Sequence, residues 1–502
     1  MEEIMLNREV NPKEIIPEEE NQEGAKIFGK LAGASLLYAL VYTGCLFENV
    51  MGLASVLWVA ASVWYVRFVF RMFGEKERRD NGIVLGMMVL LGISTVLTGN
   101  EWIGWMNDLI IFVLLVGILL HNFAQDAGWN FGKYLAEIVA AVCGAVCFIG
   151  KPFVDGGAFY RSKKTGGSHG GWGVLIGICA AVPCLMVLVL LLMSADMVFA
   201  DLLVRFAGVF RFPAKLFRIL LMLMFGFLSS YCGVRYVQKH AADIKPSAGK
   251  TAEPLIAIAF TAPIAVLYLL FSAIQIVYLF IGNMQLPAGV TYAEYARRGF
   301  FQLLFVCVLN LAAVLSIQNY FKENRVLKAL LLTISGCTLI MTASSACRML
   351  LYIRAYHLTF LRVAVLVALA VIALLMVGVI AKIVKPQFPL FRYGFVLAGA
   401  VYLVFAFSHV DYFIAAYNLT HTSWEASGEE TVDYSYLYTL STDAAPAIEK
   451  YAGKNGSSDY RTQGWYRLYC EANEAALNGT GLRTYNVSHA VAKQLLMEDN
   501  RE

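Results

Sequence analysis

Residues 363–384, VAVLVALAVIALLMVGVIAKIV, decide the fold class, because Lys382 is the single charged residue in the whole stretch. A helix rises about 1.5 Å per residue and the hydrocarbon core of a bilayer is about 30 Å thick, so about 20 apolar residues cross it. Short buried helices of soluble proteins do not need an apolar run of this length. The stretch therefore predicts a membrane-spanning helix.

Similar apolar segments recur along the chain, and together they give about 11–12 predicted spans. Before residue 151 they are 27–47, 50–70, 82–98, 103–120 and 131–149. After it they are 172–193, 216–237, 255–281, 299–320, 327–346, 363–384 and 393–407. The third is short and rich in glycine, and the fifth begins with Lys133 and Glu137, so these two are the weakest candidates. The predicted fold class is all-α: a polytopic transmembrane helical bundle.

The composition supports a lipid environment. Of the 502 residues, 59% are hydrophobic and 15% are charged, whereas soluble domains are about half apolar and about a quarter charged. The net charge is only +4, which gives no electrostatic case for binding nucleic acid. We therefore expect the lipid bilayer to be the main partner of this chain, and no nucleic acid.

Polar stretches divide the chain into five predicted regions. Residues 1–26 are acidic, lack the early apolar core of a signal peptide and predict a disordered tail. The N-terminal transmembrane helices occupy 27–150, a basic glycine-rich flexible linker follows at 151–171, and the core transmembrane helices occupy 172–408. Residues 409–502 predict a soluble helical C-terminal domain, because their apolar residues recur at helical spacing and thirteen Asp and Glu oppose seven Lys and Arg.

The distribution of lysine predicts the orientation in the membrane, since short cytoplasmic loops are enriched in Lys and Arg. The joints after the fifth, seventh, ninth and eleventh segments carry most lysines, which predicts that these joints are cytoplasmic and the C-terminal domain is extracytoplasmic. The charged joint 71–81 does not fit this orientation. Three predicted spans separate it from Lys151, and an odd number of spans puts the two joints on opposite sides of the membrane. Either 131–149 does not fully cross, which gives eleven spans and a cytoplasmic N-terminus, or twelve segments cross and the N-terminus is outside. We favour the first explanation.

Two polar clusters interrupt the apolar pattern, at residues 291–310 (TYAEYARRGFFQLLFVCVLN) and 344–362 (SSACRMLLYIRAYHLTFLR). A charge at the bilayer centre costs about 2.5–3.5 kcal/mol on insertion scales, so such side chains face protein or water. In the second cluster, Arg348, Tyr352 and Tyr356 repeat every four residues and share one helix face. The candidate polar interface or ligand site consists of Tyr292, Glu294, Tyr295, Arg298, Asn310, Arg348, Tyr352, Arg354 and Tyr356.

Two interpretations of these residues stay open. In the functional one, Glu294 pairs with Arg348 or Arg354, and the tyrosines bind a polar headgroup or an anionic ligand. In the structural one, the tyrosines belong to the interfacial aromatic belt, the arginines reach toward the headgroups, and Glu–Arg pairs lock helices together. Asn310 fits an interhelical hydrogen bond better than a catalytic role. We favour the structural interpretation.

Motifs of known catalytic and metal sites are absent from the sequence. It contains neither G-x-x-x-x-G-K-[ST] nor H-E-x-x-H. Cys143 and Cys147 lie one helical turn apart, but no histidine or second cysteine pair lies near them. We therefore predict no catalytic residues, no metal and no cofactor. Glu48 and Asp108 are lone acidic residues near predicted span ends, and a membrane transferase would need two such carboxylates facing each other.

Several stretches resemble one family and follow its order along the chain. They are GVLIGICAAVPCLMVLVLLLMSADMVFADLL (173–203), the two polar clusters, DYSYLYTLSTDAAPAIEKY (433–451) and LRTYNVSHAVA (482–492). They resemble bacterial membrane proteins grouped as domain of unknown function 4173, which is related to the 4153 group. His357 stands where that family has a glycine. The resemblance covers roughly residues 170–490, and it implies a bacterial multi-pass membrane protein without an established reaction.

Three functional hypotheses follow. The first is a non-enzymatic signalling or envelope-associated scaffold of the cell membrane, whose C-terminal domain binds a protein partner. The alternative is a transporter, or a protein that binds a lipid or an anionic ligand through Glu294, Arg348 and the nearby tyrosines. The third is a membrane transferase. The oligomeric state is left open.

Overall fold

The computed structural model describes residues 18–126, 128–163, 185, 188–189, 191–209, 214–241, 244, 250–277, 300–421, 423–424, 430–431, 434–452, 463–479 and 481–498. The helices of the membrane region are α1 (Glu18–Leu46), α2 (Leu53–Phe73), α3 (Asn81–Leu97), α4 (Glu101–Phe123), α5 (Phe131–Cys147), α6 (Lys151–Lys163), α7 (Met197–Val209), α8 (Ala214–His240), α9 (Pro254–Gln275), α10 (Phe300–Tyr320), α11 (Arg325–Tyr356), α12 (Phe360–Val384) and α13 (Leu390–Phe407). The all-α polytopic bundle is confirmed.

The C-terminal domain consists of short helices and one small hairpin. Its helices are α14 (Val410–Thr420), α15 (Tyr434–Leu437), α16 (Ala445–Tyr451), α17 (Gly464–Ala472), α18 (Glu474–Asn478) and α19 (Val487–Lys493). The antiparallel strands β1 (Ser423–Trp424) and β2 (Glu430–Thr431) have two residues each. Their pairing joins Ser423 to Thr431 and Trp424 to Glu430.

Nine helices among the described residues are long and apolar enough to cross a membrane. They are α1, α2, α4 and α8–α13, and each corresponds to one predicted span. The third predicted span forms the shorter helix α3, which has 17 residues. The fifth forms α5, which bends by 56° into α6. The sixth, 172–193, falls mostly outside the described residues.

Side-chain caps fix where several helices begin, since the first backbone N–H groups of a helix have no partner within it. Asn100 accepts a hydrogen bond from the N–H of Ile103 at the start of α4. Asn324 does the same for Val326 at the start of α11. At the end of α2, Gly74 takes the left-handed conformation (φ 74°) that ends many helices. The local sequence therefore sets where these helices begin and end.

Two predicted boundaries at the N-terminal side differ from the structure. The predicted disordered tail 1–26 lies outside the described residues up to residue 17, but α1 already begins at Glu18. Residues 151–163, predicted as part of a flexible linker, form α6. The reason is tertiary packing. Asp155 of α6 is buried, accepts hydrogen bonds from Tyr231 (2.8 Å) and Arg235 (3.1 Å) of α8, and lies against Gly24 of α1.

The described membrane helices form two groups that α13 joins. The first group contains α1–α6 and α8, and its largest core includes Leu31, Trp58 and Met88. The second contains α9–α12, with a core that includes Met376 and Val379. Helix α13 packs against α12 in the second group and against α3 in the first. It is therefore the main helix between the two groups.

The two ends of the bundle differ in charge, and we name them by what they carry. The basic end holds the joints at 74–80, 321–324 and 385–389, together with residues 241, 244 and 250–253. The ion pairs Arg78–Asp126, Lys250–Glu323 and Lys322–Glu253 connect these joints to their neighbours. The tail end holds the joints at 47–52, 98–100 and 357–359, together with the C-terminal domain. These two names are used below.

Helix α5 stays close to the basic end of the first group. Gly144 lies against the ring of Tyr236, and Phe148 packs on His240 with ring centroids 5.4 Å apart. Lys133 and Glu137 line a cleft together with His240 and Ile244. These partners on α8 all lie within its last turns or just beyond them, so α5 runs across the end of α8 rather than along its length.

Candidate functional site at the tail end

The first predicted cluster falls mainly outside the described residues. Tyr292, Glu294, Tyr295 and Arg298 belong to the part of the chain that the structure leaves undescribed. Their predicted pairing with the second cluster therefore stays a prediction. The last residue of this cluster, Asn310, lies on α10 within the bundle.

Asn310 connects three helices through its side-chain amide. Tyr268 of α9 donates to its Oδ1 at 2.8 Å, and its Nδ2 donates to Thr338 Oγ1 of α11 at 2.9 Å. Asn310 is buried, so both hydrogen bonds replace contacts that water would make. This arrangement supports the interhelical role expected from the sequence.

Arg348 is the buried arginine of the second cluster. Its residue exposure is 8%, and its Nη2 donates to Gln275 Oε1 of α9 at 3.4 Å. Ser344, one turn earlier on α11, donates to the same oxygen at 2.7 Å. The cluster thus continues a polar contact between α9 and α11 at the tail end. Arg354 is exposed and lies off the face of Arg348.

The tyrosines of this cluster contact the start of the next helix. The guanidinium of Arg362 lies 4.4 Å from the ring centre of Tyr352, which is close enough for a cation–π contact. Arg362 also donates to the carbonyl oxygens of Tyr356 and His357. His357 has a positive φ of 65° in the turn between α11 and α12. The polar contacts of this face therefore close the turn into α12.

The two lone acidic residues lie in different surroundings. The carboxylate of Glu48 is 2.9 Å from Arg218 and 3.7 Å from Lys215. Asp108 lies on α4, where its Oδ1 is buried without a hydrogen-bond partner among the described residues. Glu48 thus pairs with the two cations Lys215 and Arg218 of α8. No described contact joins the two carboxylates as a transferase would require.

The most extensive polar contacts were missed from the sequence, and they dock the C-terminal domain on the turn between α3 and α4. Asp443 is 4% exposed and accepts hydrogen bonds from Thr98 Oγ1 (2.6 Å) and from the N–H of Gly99 (2.8 Å). His409 lies 3.4 Å from the same carboxylate. We call the contacts of Asp443, Asp411 and Asn486 with this turn the polar clasp.

Asp411 and Asn486 complete the polar clasp. Asp411 Oδ2 accepts from Asn100 Nδ2 at 2.9 Å and from the Ser441 hydroxyl at 2.6 Å. Asn486 Nδ2 donates to the carbonyl oxygens of Thr95 (3.0 Å) and Thr98 (2.7 Å). Those carbonyls belong to the end of α3, where helical backbone acceptors have no partner of their own. The N–H of Gly52 also donates to Thr95 O, at 3.1 Å. The clasp therefore adds a second donor for the carbonyl of Thr95 and supplies one for the carbonyl of Thr98.

Glycine is required at the centre of the clasp. A Cβ on Gly99 would lie 1.9 Å from Thr442 Oγ1 and 2.9 Å from Ser488 Oγ, and these two hydroxyls are 2.8 Å from each other. Distances below 3.0 Å are not seen for real Cβ atoms. The domain therefore approaches the α3–α4 turn as closely as the backbone allows.

A second contact caps α2 with residues of the C-terminal domain. The N–H groups of Leu53 and Ala54, in the first turn of α2, donate to the carbonyls of Tyr485 (3.0 Å) and Arg483 (3.1 Å). Gly52, at φ 102°, lies against the backbone of Thr484. The domain thus supplies acceptors that a helix N-terminus lacks.

A third contact reaches the second group of helices. Asn418 of α14 accepts from the N–H of Leu358 and donates to its carbonyl, both at 2.9 Å. Tyr436 accepts from the N–H of Phe360 at 2.9 Å. Both partners lie at the turn between α11 and α12. The C-terminal domain therefore contacts three turns and connects both helix groups at one end.

Apolar packing continues through this interface. The core of the C-terminal domain includes Leu437, Ile448 and Tyr469, and it extends without a gap to Ile103 of α4 and Ala406 of α13. Burying each large apolar side chain contributes about 1.5–3 kcal/mol. The domain and the bundle therefore share one core at the tail end.

The surroundings of the clasp shift the pKa values of its ionisable groups. Burial acts to raise the pKa of Asp443, but hydrogen bonds from His409, Ser488, Thr98 and Gly99 outweigh it and hold the pKa below its usual value. The same hydrogen bond raises the pKa of His409. Burial raises the pKa of Asp411, although its hydrogen bonds oppose the shift. The clasp thus favours a charged Asp443 beside a protonated His409.

Metal ligation finds no support among the residues that the structure describes. They contain no group of three or more His, Cys, Asp and Glu side chains that could hold an ion. Asp411 and Asp443 both lie in the clasp, where hydroxyl, amide and backbone N–H donors bond to both oxygens of Asp443 and to Oδ2 of Asp411. The described contacts of these residues join the C-terminal domain to the bundle.

Comparison with known proteins gives a family and nothing more specific. The family model described as Domain of unknown function (DUF4153) matches residues 85–451. That range contains both sides of the contact between Asp443 and the α3–α4 turn. The comparisons with curated proteins and with solved structures found no match. The resemblance inferred from the motifs is confirmed at the level of the family.

Proposed function

This chain belongs to the family described as Domain of unknown function (DUF4153), and from that premise we propose that it is a non-enzymatic membrane scaffold whose C-terminal domain binds a protein partner. The bundle anchors the domain in a fixed orientation. The partner is recognised by the exposed face of the domain that points away from the helices.

The observation that carries this proposal is the way the C-terminal domain is attached. A domain that hangs on a linker makes few contacts with its anchor, whereas this one contacts three turns and shares a core with two helices. Buried charged and amide groups such as Asp443 and Asn486 fix its register, because they are costly to leave unpaired. A rigid attachment of this kind suits a domain that presents a surface in one orientation.

The charge of the domain suggests the kind of partner. Residues 409–502 contain thirteen Asp and Glu against seven Lys and Arg. Exposed members of the acidic set include Glu471 and Glu474 on neighbouring short helices. Charge complementarity favours a partner with a basic face, which also speeds the encounter at low salt.

The test is cross-linking in native membranes followed by purification of the full chain. We expect one defined partner to be recovered repeatedly and to be reduced at least fivefold by Glu471→Lys combined with Glu474→Lys. The matched control is Glu75→Lys with Glu77→Lys at the basic end, which changes the net charge equally. Equal recovery from both double variants, or no repeated partner, would refute the proposal.

We further propose that the basic end is cytoplasmic and the C-terminal domain extracytoplasmic. The basic end carries lysines such as Lys76, Lys250 and Lys322, as the bias of cytoplasmic loops requires. The position of α5 supports the explanation in which 131–149 does not fully cross, because its contacts stay at the basic end. The joint 71–81 then lies on the same side of the membrane as the other lysine-rich joints.

A second candidate function is binding or transport of an anionic ligand at Arg348. The burial of a charged side chain between α9 and α11 favours it, since buried charges in membranes often mark ligand sites. Under this hypothesis, Arg348→Ala abolishes a cellular phenotype while the amount of protein in the membrane stays constant. Arg348→Lys separates charge from shape: it restores a point charge but not the geometry of the guanidinium. A parallel loss of membrane abundance would assign Arg348 to packing.

A further inference from the structure

A cluster of cations lies at the tail end of the first helix group, where α1 ends and α8 begins. Lys215 and Arg218, in the first turns of α8, are 65% and 60% exposed at their side chains. Both extend over the ring of Phe47, with distances to its centre of 5.9 and 5.8 Å. Glu48 is the acidic residue between them. The cluster thus has more positive than negative charge.

Helix electrostatics makes this arrangement unfavourable without a further anion. The N-terminus of a helix carries about half a positive charge, and cations in the first turn raise the energy while anions lower it. Lys215 lies in this first turn, and Arg218 lies at the start of the second. Glu48 offsets one of them, and it does so from a positive φ of 49°, which is uncommon for a residue other than glycine. The end of α8 therefore attracts more negative charge than Glu48 supplies.

The loop before α19 adds a third cation and an apolar side chain. Arg483 donates to the carbonyl of Gly44, one turn before Glu48 along the chain. Its neighbour Leu482 is 82% exposed. This loop also caps α2, so its position against the helix ends is fixed. A fixed, exposed leucine beside an arginine is typical of a segment that meets a membrane surface.

The surrounding helices place the cluster at the boundary of the hydrocarbon. Within one or two turns of the cations, Leu40 of α1, Leu57 of α2 and Leu220 of α8 have exposures of 53%, 58% and 43%. These leucines form part of the lipid-facing surface. An anion that binds the cluster therefore has apolar side chains directly beside it, which a water-soluble anion does not use.

We propose that Lys215, Arg218 and Arg483 form a binding site for the phosphate headgroup of an anionic phospholipid, with Leu482 in contact with its acyl region. The headgroup supplies the charge that Glu48 leaves unbalanced at the start of α8. The lipid thereby seats the C-terminal domain on the leaflet. This site is separate from the partner-binding face of the proposed scaffold, so either proposal can fail alone.

The test is native mass spectrometry of the full chain released from nanodiscs that contain equal amounts of phosphatidylglycerol and phosphatidylcholine. We expect phosphatidylglycerol to be retained at least fivefold over phosphatidylcholine. The double variant Lys215→Gln/Arg218→Gln should remove that preference, whereas Glu48→Gln should strengthen it. Arg467→Gln is the matched control, because the Arg467 side chain is 82% exposed on the C-terminal domain and pairs with Glu471 one turn away.

Three results would overturn the proposal: equal retention of the two lipids, an unchanged preference in the double variant, or complete displacement of the lipid by inorganic phosphate at millimolar concentration. The last result would assign the site to a soluble anion. Arg218→Lys guards against a folding defect, because it keeps the charge and should keep most of the preference. If Arg218→Lys loses as much of the preference for phosphatidylglycerol as the single variant Arg218→Gln does, the charge of residue 218 does not cause the preference, and the proposal fails.

Discussion

At Gly99, the absence of a side chain decides whether the C-terminal domain can dock. An added methyl group would meet the hydroxyl of Thr442, so Gly99→Ala should cost about 1–3 kcal/mol as an overpacking change. Thermal unfolding in detergent and the rate of proteolysis of the C-terminal domain measure the effect. In a Thr442→Ala background the cost should fall, because the nearest clashing atom is gone.

The control for Gly99→Ala is a glycine substitution within α3, the helix that precedes this turn. A methyl group added to Gly86 of α3 would have no described atom within 4 Å, so Gly86→Ala should be neutral or slightly stabilising, as alanine favours the helix. If both substitutions had the same effect, or if Thr442→Ala gave no relief, close docking at Gly99 would not be the cause.

The ion pair of His409 and Asp443 makes docking depend on pH. The pKa of His409 is raised by Asp443, so its stabilising contribution is complete below its ordinary value of about 6.5 and is lost as the pH rises through the raised value. The pKa of Asp443 is lowered, so its contribution is complete above its ordinary value of about 3.9 and is lost at lower pH. The pair therefore stabilises docking most in mild acid.

The variant His409→Asn isolates this contribution. Asparagine tolerates the positive φ of 47° at this position, so the backbone is preserved. Protease resistance of the domain should decrease from about pH 6 to about pH 8 more in the unaltered protein than in the variant, since this window brackets the titration of histidine. His489 also titrates near the clasp, with a pKa lowered by burial, but it is common to both proteins. Parallel pH profiles would contradict the role of His409.

Residues of the clasp could be predicted only in part from the sequence. Asn486 and Ser441 have the sequence signature of helix caps, and both do cap short helices. The second role of the clasp residues, contact with a turn more than 300 positions earlier, leaves no periodic or local signal. The family resemblance marked these stretches as motifs without saying what they contact. The interhelical role of Asn310 could be predicted, because an amide in an apolar span has few alternatives to a hydrogen bond between helices.

At the scale of elements, α6 depends on a buried ion pair with α8. The side chains of Asp155 and Arg235 are 1% and 3% exposed, and Tyr231 donates to the same carboxylate. Removing one partner of a buried pair costs about 3–5 kcal/mol, because the other charge is left uncompensated. Arg235→Met should therefore lower the unfolding temperature strongly.

The double variant Asp155→Asn/Arg235→Met tests the reason for that loss. It removes both charges of the buried pair, and the asparagine oxygen can still accept from Tyr231. The longer pairs that it also breaks, Lys151–Asp155 at 3.9 Å and Glu23–Arg235 at 4.0 Å, leave charges only on the partly exposed Lys151 and Glu23. We expect it to be more stable than Arg235→Met alone, as measured by thermal unfolding in the same detergent. If the double variant unfolds at the same temperature as Arg235→Met, the unpaired charge of Asp155 does not cause the loss of stability.

Helices with uniform apolar runs were predictable, and helices that depend on packing were not. The nine long helices of the described chain follow from hydropathy alone, since lipid imposes a length on each. The two weak segments are also the two that do not form single long spans: α3 has 17 residues, as short as its predicted segment, and α5 bends by 56° into α6. Residues 151–163 are rich in glycine and cations, which suits a linker. Packing explains the helix: Asp155 bonds to α8, and Phe159 packs on Phe28 of α1 with ring centroids 5.7 Å apart.

At the scale of the whole molecule, the proposed orientation can be tested with a thiol reagent that does not cross membranes. Cys470 is a poor reporter, because it is half-buried and burial raises its pKa. Arg467→Cys in a Cys470→Ser background presents an exposed thiol at the tail end, and Lys76→Cys presents one at the basic end. We expect labelling of the first in intact cells and of the second only after lysis.

The opposite labelling pattern would reverse the proposed orientation, and labelling of both thiols in intact cells would indicate leaky cells. Either orientation leaves the alternation of the described helices unchanged, because their order in the bundle does not depend on which side is outside.

The cap on α2 has a consequence for how this protein is made. Arg483 bonds to Gly44 across 439 positions of sequence, so the first hairpin enters the membrane long before its partner leaves the ribosome. Until residues 483–485 have been made, the start of α2 lacks these acceptors. The cap on α2 is thus completed by one of the latest segments, and a chain that stops before residue 481 leaves the first N–H groups of α2 without these acceptors.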